Sequence, residues 1–451
     1  MSEKYLLEGI RVVELATFVF APAAGTVLAD FGADVVHIEH PQIGDAYRHL
    51  PQLRPLPECD ENYCWILTAR GKKSIALDVR RAEGREVAMD LVRGADVFIT
   101  NLHPSVLEKL GMRYEDVAPE NPRLIYAHAT GYGDEGGEVE KPGYDATAWW
   151  ARSGLMDAVR PAGGEFAFAT AGMGDHPSSM AVFAAIALAL FDRERTGKGR
   201  RVRTSLMANG AWSNSILLQA ALCGGKPYAP PTRANSLNAL VNSYLCADGR
   251  GLYLALVQEA VEWDRFTDAM GRPELREDPR FVDIPARRAN APALVAILDP
   301  IFASKPLAYW RAELDRYKVT FGIIARTGDL PDDPQYNANG IFRPVVGAGV
   351  REGLRTVDSP IHLDGAEKRP AGRAPELGEH GREVLTKLGY TAERIDALVR
   401  EGILRSPVED ARASTAPSAP DEGRRGRSAS PGTAEETLIR CAPAHPPKSG
   451  S

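Results

Sequence analysis

The sequence predicts an α/β protein in which a large domain, built on a doubly wound, mostly parallel, Rossmann-like sheet, is joined to a smaller α+β domain. Two observations predict this class. Short segments rich in β-branched residues, which predict strands, alternate with amphipathic segments, which predict helices, over the first half of the chain. Glycine and proline cluster where this alternation stops. The 451 residues suffice for two or three domains. We place the large domain at 1–225 with a return at 332–405, the small domain at 226–331 and a tail at 406–451.

Six apolar stretches rich in β-branched residues predict the strands of the large domain. They lie at residues 10–16, 34–39, 74–79, 96–100, 124–130 and 201–206. Helices are predicted between and after them at residues 22–31, 82–93, 104–110 and 208–222, and a long apolar helix is predicted between Asp175 and Thr196. Strand–helix–strand units of this kind assemble into a parallel sheet with helices on both faces.

The rest of the chain predicts fewer elements. The clusters of glycine and proline at 224–231 mark a boundary. The elements predicted beyond it are strands at 244–247 and 252–257, a helix at 308–317, and a C-terminal pair of amphipathic helices that includes 378–385. From about Ser406 onward few apolar residues remain, so the tail cannot bury enough surface to offset chain entropy and is predicted to be disordered.

The composition excludes several classes of partner. The net charge is −6 and no basic stripe is interleaved with aromatic residues, which argues against nucleic acid. The longest apolar run, Met180–Phe191, is too short to cross a bilayer and predicts a buried helix, so no membrane partner is expected. The five cysteines form no close metal-type pair, which predicts reduced thiols, a cytoplasmic location and no metal site.

Asp175 is the strongest candidate for a catalytic group. It follows Gly172 and Gly174 at the start of the long apolar helix, where the glycines leave room for a ligand. A helix N-terminus favours negative charge, so the carboxylate is expected to stay ionised and to act as a nucleophile. The alternative interpretation is that Asp175 only caps the helix, as aspartate commonly does.

The end of the first strand gives a second indication of function. The segment Ala16–Pro22 has no G-x-G-x-x-G pattern, which argues against a dinucleotide but not against another adenosine-containing ligand. Cations occur at or near predicted strand ends, where open α/β sheets bind ligands. They are Lys72, Lys73, Arg80, Lys109 and Lys141. Their charge suits a ligand with several phosphates.

Together these segments resemble the family III CoA-transferases, the CaiB/BaiF group that includes the formyl-CoA and carnitine CoA-transferases. The resemblance runs from about residue 5 to residue 400. It rests on the segments 7–15, 28–39, 73–78, 95–101, 142–145, 174–175, 196–199 and 377–380. The segments 130–133, 143–154 and 174–176 are most similar to the branch that uses 2-hydroxy acids or aryl-lactates.

The resemblance implies an interlocked homodimer, Asp175 as the nucleophile, and acyl-CoA as a substrate rather than a permanent cofactor. The positions that it implies for CoA contact are Phe18, Val19, Phe20, His40, Leu77, Arg80, Asn101, Leu102, Lys109, Leu110 and Lys141. Two departures are visible. Several members have arginine where His40 stands, so Lys72 or Lys73 could hold the nucleotide phosphate instead, and no glycine-rich flap is visible between 232 and 270.

Three other functions stay open at the level of sequence. An α-methylacyl-CoA racemase shares the implied fold, but its His-Asp pair is replaced by Tyr144-Asp145, and tyrosine is a poor base at neutral pH. A serine hydrolase could use His128 or His176, but no G-x-S-x-G elbow is present. A CoA-binding protein without catalytic activity is the third alternative.

Overall fold

The computed structural model describes residues 5–53, 56–226 and 230–407, so nearly all of the tail that we predict to be disordered lies outside the described residues. The chain divides into two compact units. The first contains the residues up to Gly154, Ala169–Ser215 and the residues from Ile341 onward, and the second contains Leu155–Phe168 and Ile216–Gly340. The second unit therefore extends beyond the 226–331 segment that we place in the small domain.

The described residues form thirteen strands, of which the six predicted for the large domain lie close to their predicted positions. They are β1 (Arg11–Leu15), β2 (Asp34–Glu39), β3 (Lys73–Leu77), β4 (Val97–Thr100), β5 (Ile125–Thr130), β6 (Arg201–Ser205), β7 (Val241–Leu245), β8 (Gly251–Ala255), β9 (Phe321–Ile324), β10 (Phe342–Val346), β11 (Arg355–Val357), β12 (Ala371–Gly372) and β13 (Leu404–Arg405). The large sheet has the order β13-β3-β2-β1-β4-β5-β6. Strands β1 to β6 pair in parallel, whereas β13 pairs antiparallel with β3 at the edge of the sheet. This pairing confirms the predicted α/β architecture with a mostly parallel sheet.

The helices also follow the predicted pattern. They are α1 (Phe20–Asp30), α2 (Tyr63–Ala69), α3 (Ala82–Arg93), α4 (Pro104–Leu110), α5 (Tyr114–Val117), α6 (Leu155–Ala158), α7 (Asp175–Thr196), α8 (Leu206–Ser213), α9 (Ser215–Leu222), α10 (Glu259–Ala269), α11 (Ile284–Ala289), α12 (Ala291–Phe302), α13 (Leu307–Arg316), α14 (Pro334–Ala338), α15 (Gly381–Lys387) and α16 (Ala392–Arg400). The single helix predicted at 208–222 is wrong, because Asn214 interrupts it and donates a hydrogen bond to the Ser153 carbonyl.

The sheet order places a ligand crevice at a definite position. The order β3-β2-β1-β4-β5-β6 reverses direction between β1 and β4, and ligands of doubly wound sheets bind outside the carboxyl ends of strands at such a switch point. The strands of this region are buried on both faces, as shown by the fully buried Val12, Val97, Phe98 and Ile99. The sheet is therefore a rigid platform for the loops that follow its strands.

Helix α7 is less buried than the sequence predicts. It packs on α1 through residues that include Val182, Ile186 and Ala189, which are all buried. On its other face Leu188 and Phe191 are 70% and 64% exposed. The apolar run is thus only half covered within one chain, because the first unit supplies a partner for a single face of the helix.

The second unit is an α+β fold with its own core. Strands β7, β8 and β9 form an antiparallel sheet, of which β9 was not predicted. Trp263, Phe266, Phe302 and Trp310 are buried in the core of this unit. Within the described residues, no single helix has both the length and the apolar character to cross a membrane, and only the sharply bent pair α12–α13 meets both requirements jointly.

A second small sheet in the first unit escaped prediction. Strand β10 lies between β11 and β12, pairing antiparallel with the former and parallel with the latter. These strands have two to five residues, too few for a clear alternation of apolar and polar side chains.

Candidate active site

Asp175 is the first residue of α7 and its side chain does not cap the helix. The cap position belongs to Gly174, and no side chain makes a capping hydrogen bond there. Gly172 has φ = +76°, a conformation that glycine adopts without strain, and it turns the chain into the helix. The interpretation of Asp175 as a simple helix cap is therefore wrong. Asp175 is half-buried beside the helix N-terminus, where the backbone N–H groups of Gly174 and Asp175 make no hydrogen bond among the described residues.

A tryptophan packs directly against this turn. Trp149 lies in a π-helix over Asp145–Ala151, and its ring is 7% exposed. A Cβ atom added at Gly174 would stand 2.6 Å from the ring atoms Cγ and Cδ2 of Trp149. Only glycine at position 174 permits this contact, which fixes the indole next to the candidate nucleophile. The neighbouring Trp150 stacks on Trp149 with ring centres 6.0 Å apart.

The ionisation of Asp175 differs from the sequence prediction. Burial, together with the nearby carboxylate of Asp145, raises the pKa of Asp175 to about 7. The expectation that the helix N-terminus keeps this carboxylate fully ionised is therefore wrong, because desolvation and a like charge oppose the helix dipole. His176 adds no opposing charge, since burial and Arg70 lower the pKa of its imidazole.

The turn between β1 and α1 is held in an unusual conformation. Phe18 has φ = +64°, the left-handed region that is uncommon for residues other than glycine. The carboxylate of Asp45 stabilises this turn, because its Oδ1 accepts hydrogen bonds from Thr17 Oγ1 at 2.7 Å and Phe18 N at 3.0 Å. The same oxygen accepts from Tyr47 N at 2.9 Å, which ties the following 3₁₀ helix to the turn.

Asn101 clamps the same turn from β4. Its Oδ1 accepts a hydrogen bond from Thr17 N at 3.0 Å, and its Nδ2 donates to the Thr17 carbonyl at 2.7 Å. Asn101 thus fixes the conformation of the turn at the carboxyl end of β1, and both polar atoms of its side-chain amide are already hydrogen-bonded to Thr17. Phe18 in turn meets the edge of the Tyr144 ring at 5.9 Å, so the strand-end turn reaches the segment that carries Asp145.

Lys72 belongs to a buried ionic cluster rather than to the ligand edge. Its Nζ lies 2.9 Å from both carboxylate oxygens of Glu14 and 2.6 Å from the Pro22 carbonyl. Burial lowers the pKa of His37, but the ionic contacts of its imidazole with Asp45 and Glu14 outweigh burial and raise the pKa to about 9. Glu14 therefore stands between two cations, with no exposed surface.

The suggestion that Lys72 or Lys73 holds a phosphate is therefore wrong. Lys72 is 5% exposed and fully engaged. Lys73 is the first residue of β3, and its Nζ pairs with Asp34 at 2.7 Å, at the first residue of β2. Both lysines thus stand where parallel strands begin, whereas ligands bind where they end.

Apart from Leu77, which is the last residue of β3, the remaining predicted contact positions come after the carboxyl ends of strands β1 to β5 in the chain, and contact with CoA stays a prediction. The side chains of four of them are buried in the first unit: Val19, Phe20, Leu77 and Leu110. Leu102 is partly buried beside the core, and the exposed cations near the edge are Arg80, Lys109 and Lys141. Arg80 pairs with Asp78 at 2.8 Å and Lys141 with Glu138 at 3.2 Å. Burial, with the nearby Arg80, lowers the pKa of His40, which therefore stays neutral.

Two residues of this region, Tyr47 and Asp45, were not assigned a role from the sequence, and Asp145 was considered only for the racemase alternative. Asp145 and Tyr47 interact electrostatically with Asp175, and Asp45 orders the turn that carries Phe18. No motif indicates Tyr47, which is 4% exposed and whose pKa is raised chiefly by burial. Its position depends on the 3₁₀ helix Ala46–Gln52, which the sequence pattern does not reveal.

The other proposed chemistries find less support in the geometry. His128 donates from Nε2 to the Leu102 carbonyl at 3.0 Å, so this nitrogen is not free to accept a proton from a serine. Across the described ranges, no group of three or more His, Cys, Asp or Glu side chains is placed to hold a metal ion.

Replacing Gly174 by alanine should damage the site through Trp149. The added methyl group would overlap the indole ring, so we expect a loss of about 1–3 kcal/mol in stability and a clear fall in activity. Urea unfolding of Gly174→Ala, of Trp149→Leu and of the double variant measures this. The double variant should lose less than the sum of the single losses, because the smaller side chain removes the overlap. Strict additivity would contradict the packing described.

Comparison with known proteins agrees with this architecture. A family model described as CoA-transferase family III matches residues 7–381. The chain is 34% identical over 402 residues to (R)-2-hydroxy-4-methylpentanoate CoA-transferase of Clostridioides difficile, covering 89% of this chain and 100% of that protein. It is 31% identical over 401 residues to cinnamoyl-CoA:phenyllactate CoA-transferase of Clostridium sporogenes, covering 88% and 96%. The crystal structure of a CAIB/BAIF family protein from Brucella suis superposes with a TM-score of 0.76 at 30% identity, covering 86% of this chain and 100% of the other.

Proposed function

The chain belongs to CoA-transferase family III, and from that premise we propose that it moves CoA from an acyl-CoA thioester to a free carboxylic acid through a covalent intermediate on Asp175. The observation that carries the proposal is the position of Asp175. It opens α7 on a glycine turn beside a buried tryptophan, and its side chain has no hydrogen-bond partner among the described residues. A carboxylate so placed is open to an incoming acyl carbon.

The proposed reaction has two symmetrical halves. A carboxylate oxygen of Asp175 attacks the thioester carbonyl carbon, a C–O bond forms, the C–S bond breaks, and the electron pair leaves with the CoA thiolate. The thiolate then attacks the aspartyl carbonyl of the mixed anhydride and releases the donor acid, leaving an aspartyl-CoA thioester. The acceptor carboxylate repeats these steps in reverse. Each intermediate is an activated acyl species, so each exchange is nearly balanced in free energy.

The surroundings of Asp175 suit this chemistry. At the start of α7, the N–H groups of His176 and Ser178 already donate to backbone carbonyls, and Pro177 has no N–H. The N–H groups of Gly174 and Asp175 remain to donate to the oxyanion that develops on the attacked carbonyl. The stacked indoles of Trp149 and Trp150, both buried, supply an apolar wall that reduces water near the anhydride.

CoA would lie along the carboxyl edge of the parallel sheet. Phe18 and Asn101 shape the crevice at the switch point, and Arg80, Lys109 and Lys141 supply positive charge for the phosphates. The adenine and phosphate groups then stay outside while the thioester reaches Asp175. The electrostatic attraction of these side chains for the phosphates is modest, because Arg80 and Lys141 already pair with acidic residues of the chain.

We propose a 2-hydroxy carboxylic acid as the acceptor. Two relatives at 34% and 31% identity are named for a branched 2-hydroxy acid and for phenyllactate. The adjacent indole of Trp149 offers an apolar surface for a branched or aromatic side chain. A panel of donors and acids, read by mass spectrometry, tests this, and strong preference for an acid without a 2-hydroxyl group would contradict it.

We also propose that the protein acts as a homodimer. The open face of α7 exposes Leu188 and Phe191, which a second copy of the chain would cover. Leu188→Asp should shift the protein from dimer to monomer in sedimentation equilibrium, because a charge would be buried in the contact. The matched variant Glu194→Gln, on the exposed surface of the same helix, should leave the dimer intact. A wild-type monomer at micromolar concentration would contradict the proposal.

The decisive test of the proposed function is to trap the intermediate. Incubation with an acyl-CoA followed by hydroxylamine should convert Asp175 to a hydroxamate, which adds a defined mass to the peptide that contains residues 173–180. A racemase would instead exchange the C2 proton of a chiral 2-methylacyl-CoA for deuterium without any acceptor acid. Deuterium at C2 with no modified aspartate would overturn the transferase mechanism.

A further inference from the structure

Asp145 occupies a position beside Asp175 that the reaction above does not use. It opens the π-helix that carries Trp149, whose ring lies against Gly174. The wide turns of a π-helix put residues four and five apart on one face, so the face that meets the start of α7 also carries Asp145. The carboxylate of Asp145 is therefore close enough to that of Asp175 to interact with it electrostatically, and both residues are half-buried.

The side chain of Asp145 is only partly engaged. Its Oδ1 accepts a hydrogen bond from Ala146 N at 2.7 Å. Its Oδ2 is buried and has no hydrogen-bond partner among the described residues. A buried carboxylate oxygen without a donor is costly, and proteins retain such a group where it serves a function.

We propose that Asp145 is a positioning residue that uses its negative charge to destabilise ionised Asp175 and so to drive its acylation. The proposal rests on the proposed function of Asp175. When Asp175 forms the C–O bond to the acyl carbon, its charge leaves with the CoA thiolate and the repulsion from Asp145 disappears. The resting pair of charges is thus higher in energy than the acylated state by the energy of that repulsion.

Few other charges face Asp175 in the first unit. Tyr47 reaches it from the 3₁₀ helix, and burial keeps that phenol neutral by raising its pKa. His176 follows it on α7 and is kept neutral by burial and by Arg70. From α1, Asp30 is the one acidic side chain, and it is paired with Arg70 at 2.9 Å. Asp145 is therefore the charge whose removal should alter the behaviour of Asp175.

The test is the pH dependence of acylation by a mutant without that charge. In wild type, the rate of acyl-enzyme formation should rise with pH through about 7, because Asp175 must lose its proton to attack. In Asp145→Asn, this rise should move to lower pH by roughly one unit, since the like charge is gone while burial remains. Asp145→Glu should restore most of the wild-type profile. The control Asp264→Asn removes a carboxylate that is 74% exposed in the other unit, and should leave the profile unchanged.

Each outcome bears on one claim. A shift to lower pH in Asp145→Asn, together with a lower limiting rate of acylation at high pH and restoration of both by glutamate, supports the positioning role. A shift with an unchanged limiting rate overturns it. An unshifted profile with a uniformly lower rate overturns it and leaves the transferase mechanism in place. A wild-type protein that forms no acyl-enzyme overturns the proposed function itself. Asp145→Ser keeps an acceptor for Ala146 N and gives the same readout if the asparagine variant does not fold.

Discussion

The variant Asp175→Asn is expected to lose CoA transfer almost completely, by at least roughly 10³-fold, while it keeps its fold. An amide cannot attack the thioester to form the anhydride, so both halves of the reaction stop at their first step. Asparagine matches aspartate in shape and removes the repulsion with Asp145. The loss should therefore appear in chemistry and not in folding.

The stability of Asp175→Asn is expected to depend on pH differently from that of wild type. Burial and Asp145 raise the pKa of Asp175 to about 7, above its value in the unfolded chain, so folding favours the protonated form. Wild type therefore loses stability as pH rises through the window from about 4 to 7, where the folded state binds the additional proton. The asparagine variant escapes this loss, and at pH 8 it should be at least as stable as wild type.

Steady-state transfer and urea unfolding, measured on the same preparations, check both expectations. Asp264→Asn serves again as the matched control and should stay close to wild type in both assays. Retention of a tenth or more of the transfer rate by Asp175→Asn would remove Asp175 from the role of nucleophile. A large loss of stability at pH 8 would instead show that the carboxylate has a structural function.

The fold was predictable because its signals are local. Strand β2 and helices α3 and α4 lie at their predicted residues, since alternation of strands and helices needs only neighbours in sequence. Two-residue strands such as β13 were missed because they pair only after the chain has returned to the edge of the sheet. The position of helix α7 was predicted correctly, but its burial was not. Apolar composition does not reveal whether the same chain or a second copy would cover a given face of a helix.

The candidate site was predictable in its position but not in its electrostatics. The glycine turn before Asp175 is visible in the sequence, whereas the raised pKa of Asp175 depends on its burial in the fold and on Asp145, which is 30 residues away in sequence. The role of Lys72 could not be predicted from the sequence for a similar reason. A lysine before a strand can point to solvent, to a phosphate or to a buried acid, and only the fold brings Glu14 to it from 58 residues away.

The variant Lys72→Met is expected to destabilise the protein by about 3–5 kcal/mol, because it removes one partner of a buried ion pair. Glu14 is fully buried, and α1 crosses so closely that a Cβ at Gly25 would stand 1.5 Å from Glu14 Oε1. Water therefore cannot replace the lost ammonium. Protonated His37 would remain on one side of the carboxylate, but the Pro22 carbonyl would also lose its donor.

Lys73→Met, one residue further along the chain, is the matched control for this prediction. Lys73 pairs with Asp34, whose side chain is 48% exposed, so its removal should cost less than about 1 kcal/mol. Urea midpoints of the two variants measure the difference, and transfer activity after refolding shows whether the β1–α1 turn survives. Equal losses in the two variants would mean that Glu14 is hydrated or protonated in the folded state. A loss of stability and of transfer activity confined to Lys72→Met would identify the cluster as the support of the turn between β1 and α1, through the contacts from Glu14 to His37 and from His37 to Asp45.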